Sequence, residues 1–159
     1  MTTQGILCYC RPGFEPELAA ELTERAAARG FGGYARTERN SGHVVFAGDD
    51  GLALTAALPF RELIFARQKL RLLAELRDLD PKDRIAPMLE ALCGRGFSPD
   101  EAASDAGSGP KPLLQPQFGT LIVEHPDSDE AKPLAGLARS FGNALRPALR
   151  KAGLLAAQD

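Results

Sequence analysis

Residues 5–30 read GILCYCRPGFEPELAAELTERAAARG, and this stretch decides how the chain begins to fold. The first six residues are a short apolar run that ends at Arg11-Pro12-Gly13, which predicts a strand over Gly5–Cys10 followed by a turn. Apolar residues then recur at every fourth position across residues 14–29, with acidic residues early and arginines late. This pattern predicts a helix that ends at Gly30.

Residues 31–77 continue the alternation of extended and helical patterns. Two short extended segments, 31–38 and 43–47, flank Asn40-Ser41-Gly42, which is typical of a hairpin turn. A second helix is predicted over 52–58, because Pro59 ends the apolar pattern there. Residues 64–77 alternate between apolar and charged side chains, which predicts a strand with one solvated side.

The order strand, helix, strand, strand, helix, strand is typical of the ferredoxin-like arrangement. We therefore predict an α+β chain with a ferredoxin-like N-terminal domain over residues 1–79. A second, partial α/β domain is expected over residues 80–159, and it contains a proline-rich loop at 98–117. One strand cannot form a sheet, so this second domain is expected to be truncated.

The second domain has three predicted elements. They are a helix over 83–93, a strand over 118–124, and a helix that runs toward Lys151. Asp127 and Glu130 have the spacing of a capping box at the start of that last helix. Pro147 lacks the N–H that would bond to the carbonyl of Asn143, so the helix is expected to kink or restart there.

Charge is distributed unevenly along a chain whose net charge is only −2. Residues 61–71 carry +3, residues 98–130 carry −6, and residues 131–159 carry +4. At 100° per residue, the basic side chains of the last helix cluster opposite its apolar face. Each basic segment could contact a few phosphates, although solvated faces of ordinary elements would look the same.

Motifs for catalysis or for metal binding do not emerge from the sequence. It contains no Walker A motif, no dinucleotide fingerprint, no Gly-x-Ser-x-Gly and no Cys-x-x-Cys. The acidic residues around His125 are read as a helix start, and His43, Cys8 and Cys10 as structural residues of strands. The sequence also has no apolar run long enough for a membrane span, so we expect a cytoplasmic chain with no membrane partner.

Three stretches carry a resemblance to a known family. Residues 10–15 read CRPGFE, residues 58–68 read LPFRELIFARQ and residues 145–153 read LRPALRKAG. Taken together and in this order, they resemble the N-terminal part of the ribosomal RNA large subunit methyltransferase M family. The resemblance runs from Ile6 to Leu155.

Members of that family transfer a methyl group from S-adenosylmethionine to the 2′-hydroxyl of a cytidine in large-subunit rRNA. The resemblance implies a ferredoxin-like domain, then a THUMP domain, then a Rossmann-type methyltransferase domain. The family's catalytic tetrad and cofactor loop would follow Asp159. The resemblance therefore assigns no catalytic, cofactor-binding or metal-binding residue to this chain. S-adenosylmethionine is therefore expected as the cofactor of the full-length enzyme, and the present chain is expected to be inactive alone.

The resemblance also implies that these N-terminal domains recognise the rRNA substrate. The candidate RNA-binding residues are Arg139, Arg146, Arg150 and Lys151 on the last helix, Arg67, Lys69 and Arg71 on the strand, and Arg61 and Arg11 in the family-like motifs. For Arg61 and Arg11 a purely structural role stays open. The expected partners are large-subunit rRNA, a C-terminal methyltransferase domain and a possible second copy. The alternative is a structural or dimerisation module that makes no direct RNA contact.

Overall fold

The structure is a computed structural model that describes residues 5–93 and 118–156. The predicted loop at 98–117 lies outside the described residues. The described chain divides into two compact units. The first comprises residues 5–75 and 124–137, and the second comprises residues 76–93, 118–123 and 138–156. The predicted domain boundary after residue 79 stays a prediction.

The first unit has the predicted ferredoxin-like arrangement. Its elements are β1 (Gly5–Cys10), α1 (Glu15–Ala28), β2 (Tyr34–Thr37), β3 (His43–Ala47), α2 (Gly51–Ala57) and β4 (Ala66–Leu72). The four strands form one sheet in the order β2-β3-β1-β4, and each neighbouring pair is antiparallel. This confirms the predicted α+β fold for this part of the chain.

The core of the first unit lies between the sheet and its two helices. Ile6 and Cys8 of β1 stand opposite Phe46 and Val44 of β3, and all four are buried. Side chains opposite one another in an antiparallel pair point to the same face, so these residues form one apolar layer. The helices cover that layer with apolar residues, of which the largest are Leu18, Leu22, Leu54 and Leu58.

The hairpin between β2 and β3 turns where the sequence predicts it. Asn40 and Gly42 adopt positive φ angles of 58° and 76°. Asparagine and glycine tolerate this left-handed conformation better than other residues, which explains why these types stand at the turn.

Two helices supply most of the second unit. α3 spans Ile85–Cys93, and α4 spans Ala135–Lys151, with its residues from 138 onward in this unit. The Asp83 side chain caps α3 by accepting hydrogen bonds from the N–H groups of Ile85 and Ala86, both at 3.1 Å. The apolar face of α4 packs into a small cluster that contains Leu145, Leu149, Leu154, Leu155, Ile85, Met88, Leu89, Leu92, Phe118, Leu121 and Val123.

The predicted strand over residues 118–124 is wrong in the described part of the chain. Phe118 forms a single parallel bridge with Leu155, and residues 121–126 have no regular structure. The bridge consists of two backbone bonds, from Phe118 N to the Leu154 carbonyl at 2.7 Å and from Ala156 N to the Phe118 carbonyl at 2.8 Å. A strand needs a partner along its length, and here the pairing ends after one residue.

The start of the last helix also differs from the prediction. Ser128, rather than the Asp127 and Glu130 pair, accepts the hydrogen bond from the N–H of Ala131, at 3.3 Å to its Oγ. A short 3₁₀ turn over Lys132–Leu134 follows, and α4 begins at Ala135. Ser128 is buried, whereas the acidic residues beside it are exposed to solvent.

Pro147 does not interrupt α4, which contradicts the predicted restart, whereas the predicted kink stays a prediction. The missing hydrogen bond leaves the carbonyl of Asn143 without its usual partner, but both residues are exposed and water can solvate that carbonyl. The flanking residues Leu145 and Leu149 stay buried in the cluster. Their packing stabilises the helix on both sides of the proline.

Candidate nucleic-acid interface

The basic face of α4 is the clearest concentration of charge in the second unit. Arg139, Arg146 and Arg150 fall within about 40° of one direction around the helix axis, because their spacings of seven and four residues are near whole turns. With a rise of about 1.5 Å per residue, the three arginines extend over roughly 16 Å. No aspartate or glutamate occurs between Ala135 and Lys151.

The opposite side of α4 is fixed against the unit. Besides Leu145 and Leu149, Gly142 is buried, and a Cβ at that position would lie 3.3 Å from the Val123 Cγ2 atom. The close approach of helix and Val123 sets the rotation of α4 about its axis. That rotation directs the arginine stripe away from the cluster.

Most of the cations on this stripe are available to a ligand. Arg139, Arg150 and Lys151 are exposed and have no hydrogen-bond or ion-pair partner among the described residues. Arg146 is half-buried and donates a hydrogen bond to the Leu121 carbonyl at 3.5 Å. Arg150 and Lys151 also lie in the last turn, where a positive charge interacts favourably with the helix dipole.

The strand cations of the first unit do not form the uniform solvated face that the alternation predicts. Lys69 stands opposite Cys8, and Arg71 stands opposite Ile6, so both start from the side of the sheet that the helices cover. The register shifts at Cys10, which leaves Arg67 beside the irregular position. The prediction that Lys69 lies on a solvated face is therefore wrong.

Lys69 has a structural role that the sequence did not suggest. Its ammonium donates hydrogen bonds to the carbonyls of Thr55, at 2.6 Å, and Leu58, at the end of α2. These carbonyls lack helical partners, and a positive charge near them also favours the helix dipole. Burial lowers the pKa of the Lys69 ammonium, while the nearby Cys8 thiol acts in the opposite direction.

Arg67 faces one of the chain's own carboxylates. Its Nη1 lies 3.7 Å from the Asp127 Oδ2, and 57% of the Arg67 side chain is exposed. An exposed pair at this distance is weak and screened by salt, so a phosphate could compete for the guanidinium. Arg71 is exposed on the helix side of β4.

Arg11 and Arg61 lie in loops of the first unit. Arg11 follows β1, and Arg61 is in the 3₁₀ turn Phe60–Glu62 that precedes β4. Both side chains are exposed and have no partner among residues 5–93 and 118–156. The carboxylate of Glu62, next to Arg61 in the sequence, forms an ion pair with Arg29 rather than with Arg61.

Sequence reasoning missed Glu15 and Glu21, which hold these loops in place. The buried Glu15 carboxylate accepts hydrogen bonds from the N–H groups of Gly13, at 3.0 Å, and Gly42, at 2.8 Å. Glu21 accepts from the N–H groups of Ile64, at 2.8 Å, and Phe65, at 3.2 Å. In the sequence they look like ordinary acidic residues of an early helix turn, and no local signal marks them as acceptors for distant loops.

Burial disfavours the charged form of Glu15, but the backbone N–H groups around it outweigh that effect. The bonds from Gly42, from its own backbone and from Gly13 and Asn40 lower the pKa of this carboxyl below its usual value. Glu15 is therefore a buried anion that is satisfied by the backbone.

The candidate residues fall into two sets. Arg11, Arg61, Arg67, Lys69 and Arg71 belong to the first unit, and Arg139, Arg146, Arg150 and Lys151 belong to the second. The convergence of the two into one patch stays a prediction.

Two family models match the chain. Residues 3–70 match the RlmM ferredoxin-like domain, and residues 109–159 match the N-terminal model of ribosomal RNA large subunit methyltransferase M. The chain belongs to the ribosomal RNA large subunit methyltransferase M family. The first match covers β1 to most of β4, in agreement with the fold of the first unit.

Curated relatives in this methyltransferase M family are close in sequence. The chain is 64% identical over 151 residues to ribosomal RNA large subunit methyltransferase M of Xanthomonas campestris pv. campestris (strain B100). The proteins of the same name from Xanthomonas axonopodis pv. citri (strain 306) and Xanthomonas euvesicatoria pv. vesicatoria (strain 85-10) are 62% and 60% identical. These alignments cover 95% of this chain but 38% of each relative.

Neither a metal centre nor a membrane-spanning helix is present in the described part of this family member. Residues 5–93 and 118–156 contain no group of three or more histidine, cysteine or acidic side chains that could hold a metal ion. None of the helices within those ranges has the length and apolarity to cross a bilayer.

Proposed function

We propose that this chain is an RNA-recognition part of a large-subunit rRNA methyltransferase, and that it holds the rRNA substrate for a catalytic domain elsewhere in the protein. The observation that carries the proposal is the row of cations on α4, of which Arg139, Arg150 and Lys151 are exposed and have no partner among the described residues, with no acidic residue along the helix. The names of its relatives supply the class of nucleic acid.

The geometry of α4 favours contacts to phosphates over contacts to base edges. Three guanidinium groups in a row over roughly 16 Å can each approach a different phosphate of a ribose-phosphate chain. Such contacts give affinity and orientation without sequence information. Holding a ribose in a fixed orientation is a recognised route to faster transfer, because it removes much of the entropic cost of bringing reactants together.

Among the first-unit candidates, the proposal keeps Arg11, Arg61, Arg67 and Arg71 as secondary contacts. Lys69 is left out, because its ammonium already donates to two carbonyls at the end of α2. Moving it to a phosphate would leave those carbonyls unsatisfied.

S-adenosylmethionine is proposed as the methyl donor of the whole enzyme, but the groove along α1 does not fit it. The groove along α1 is lined by Glu21, Arg25 and Ile64 among others. The Glu21 carboxylate has the chemistry to accept hydrogen bonds from ribose hydroxyls, but it is occupied by Arg25 and by two backbone N–H groups. We place the donor site, and with it the chemistry, in a C-terminal methyltransferase domain, and the enzyme in the cytoplasm, where it would meet rRNA.

Charge reversal on α4 tests the proposal. The double variant Arg139→Glu and Arg150→Glu is compared with Lys82→Glu, an exposed cation of the same unit outside α4. Binding to a fluorescent large-subunit rRNA hairpin is measured by anisotropy at about 50 and 200 mM salt. We expect at least about a tenfold weaker affinity for the double variant and a salt slope smaller by about 2, since each lost phosphate contact removes about 0.9.

Unchanged affinity and slope for the double variant, with a wild-type circular dichroism spectrum, would refute the assignment to α4. Lys82→Glu is expected to bind as the wild type does. A loss of binding free energy in Lys82→Glu about half that of the double variant would mean that only the net charge matters, because one reversal changes the charge half as much as two do.

A structural or dimerisation module is the second candidate function. Ile122 in the second unit is 74% exposed, but a single exposed apolar side chain is ordinary on a protein surface, so this candidate ranks below RNA recognition. Sedimentation of the chain at several concentrations distinguishes the two, because a dimerisation module would self-associate and show no binding to the hairpin.

A further inference from the structure

A small cleft in the first unit collects polar side chains from segments that are far apart in the sequence. We call it the Tyr9 cleft, and it has a volume of about 210 Å³. Its lining residues are Tyr9, Cys10, Gly42, Arg67, Gln68, Glu124, His125 and Asp127. All of them belong to the first unit. Sites for drug-sized ligands usually measure about 300–1,000 Å³, so the Tyr9 cleft suits a single ring system.

The floor of the Tyr9 cleft is the face of the sheet opposite the helices. Tyr9 stands between the buried Cys8 and Cys10 in β1, so its side chain projects from the other face of the strand. Gln68 of β4 stands directly opposite Tyr9. The Gln68 side chain is exposed and has no hydrogen-bond partner among the residues that the structure describes. The floor therefore offers an unused amide beside an aromatic ring.

The wall of the Tyr9 cleft is the segment 124–127, which three contacts hold against the sheet. The Arg67 Nη1 lies 3.7 Å from the Asp127 Oδ2, and a Cβ at Gly42 would lie 3.7 Å from the Asp127 carbonyl oxygen. Burial, together with the charge of Glu124 and its hydrogen bond to the hydroxyl, raises the pKa of Tyr9, so the phenol stays protonated and donates to that carboxylate. A preformed wall loses less conformational entropy on binding than a floppy one does.

The hydrogen-bonding groups that remain unused in the Tyr9 cleft are mostly acceptors. The Glu124 carboxylate accepts one bond from the phenol and has about four acceptor positions. His125 donates from Nδ1 to the Pro126 carbonyl at 2.9 Å, which leaves Nε2 of the neutral ring as an acceptor. Arg67 supplies one positive charge against the negative charges of Glu124 and Asp127. The cleft thus favours a neutral ligand with a hydrogen-bond donor over a phosphate.

We propose that the Tyr9 cleft binds one unpaired RNA base whose edge carries an exocyclic amino group next to a ring-nitrogen acceptor, as cytosine and adenine do. The Glu124 carboxylate accepts a hydrogen bond from the amino group, and the Gln68 amide donates to the ring nitrogen. Carboxylates and amides are the side chains that pair with these base edges in nucleic-acid complexes. Uracil presents a carbonyl where cytosine has its amino group, and a carbonyl cannot donate to a carboxylate.

The inference rests on the proposed RNA-binding function and adds a preference among bases. The cations of α4 contact phosphates, which every RNA sequence presents alike. A contact to a base edge is therefore the part of the interaction that can distinguish one sequence from another. Arg67 is 57% exposed at the edge of the cleft, where it can reach a phosphate next to the bound base.

The test uses the full chain and two fluorescein-labelled single-stranded RNA decamers, oligo(C) and oligo(U), at neutral pH. The two decamers have the same length and charge, so contacts to phosphates contribute equally to both affinities. The variant is Glu124→Gln. The matched control is Glu130→Gln, which removes the same charge from an exposed side chain of the same unit that does not line the Tyr9 cleft.

We expect the wild type to bind oligo(C) about tenfold more tightly than oligo(U). Glu124→Gln should reduce this ratio to less than about threefold, and Glu130→Gln should keep it. Gln68→Thr should reduce the ratio as well. It provides an independent measurement if Glu124→Gln lowers the melting temperature, because Glu124 also holds Tyr9 whereas Gln68 has no partner among the described residues.

Equal affinity of the wild type for both decamers would overturn the inference and leave the α4 proposal standing. A preference that survives both Glu124→Gln and Gln68→Thr would overturn it too. The other ligand that two carboxylates could take is a cationic side chain of a protein, so the same titrations are made with an oligoarginine peptide. If Glu124→Gln weakens binding of the peptide but not of oligo(C), the inference is wrong. Binding to neither decamer nor to the rRNA hairpin would refute the proposed function itself.

Discussion

Replacing Glu15 by alanine should destabilise the ferredoxin-like unit by about 3 kcal/mol. The side chain is 1% exposed, and its carboxylate is the acceptor for the N–H groups of Gly42, at 2.8 Å, and Gly13, at 3.0 Å. An N–H left buried without a partner costs about 1–3 kcal/mol. The Gly42 bond is buried and should cost about 2, whereas the Gly13 bond is partly buried and should cost about 1.

Urea unfolding followed by circular dichroism measures this change. The control is Glu17→Ala, which removes an exposed acid from the same first turn of α1 and so reports the helix-dipole contribution alone, about 0.3–1 kcal/mol. Glu15→Gln offers one oxygen to the two N–H groups and should fall between wild type and Glu15→Ala.

The same carboxylate predicts how stability depends on pH. The pKa of Glu15 is lower in the folded protein than in the unfolded chain, where it is about 4.3. As the pH falls, the unfolded chain takes up the proton first, so the contribution is present above about pH 5 and is lost as the pH falls toward the folded pKa. Glu15→Gln should lack this acid dependence. A Glu15→Ala variant no less stable than Glu17→Ala would refute the reasoning.

Three further predictions concern the first unit. Lys69→Met should lower the free energy of unfolding by about 1–2 kcal/mol in urea titrations, because two carbonyls at the end of α2 lose a charged donor; a neutral result would show that water replaces it. Burial raises the pKa of the Cys8 thiol to about 12 and that of Cys10 to about 11, so iodoacetamide at pH 8 should leave both unmodified by mass spectrometry until urea is added. Arg67→Ala should change stability by less than about 0.5 kcal/mol, since its pair with Asp127 is exposed; a larger loss would indicate a buried role for Arg67.

Local signals in the sequence were sufficient for the order of the elements of the first unit, although the strand predicted over 64–77 spans only Ala66–Leu72. The predicted strands Gly5–Cys10 and His43–Ala47 match β1 and β3 to the residue, and α1 differs from its prediction by one residue at each end. Glycine and proline mark their boundaries, and these residues act through backbone geometry that depends little on distant contacts.

The predictions failed where a distant partner decides the outcome. Residues 118–124 have the composition of a strand, but a strand forms only against another, and pairing here ends at Phe118. Pro147 breaks a hydrogen bond in any helix, yet packing of Leu145 and Leu149 decides whether the helix continues. The alternation of apolar and charged residues in β4 showed that the two faces of the strand differ in polarity. It did not show that α2 would cover the face from which Lys69 projects.

The amino-acid sequence by itself determined the order of the elements in the ferredoxin-like unit and the arginine stripe along α4, because both follow from residue spacing within one element. Only the tertiary structure decided which cations are free to bind a ligand. Lys69 is held by carbonyls of α2, whereas Arg61 next to the occupied Glu62 has no partner among the described residues. A side chain carries its charge in the sequence, but the atoms within hydrogen-bonding distance come from segments that only the fold brings together.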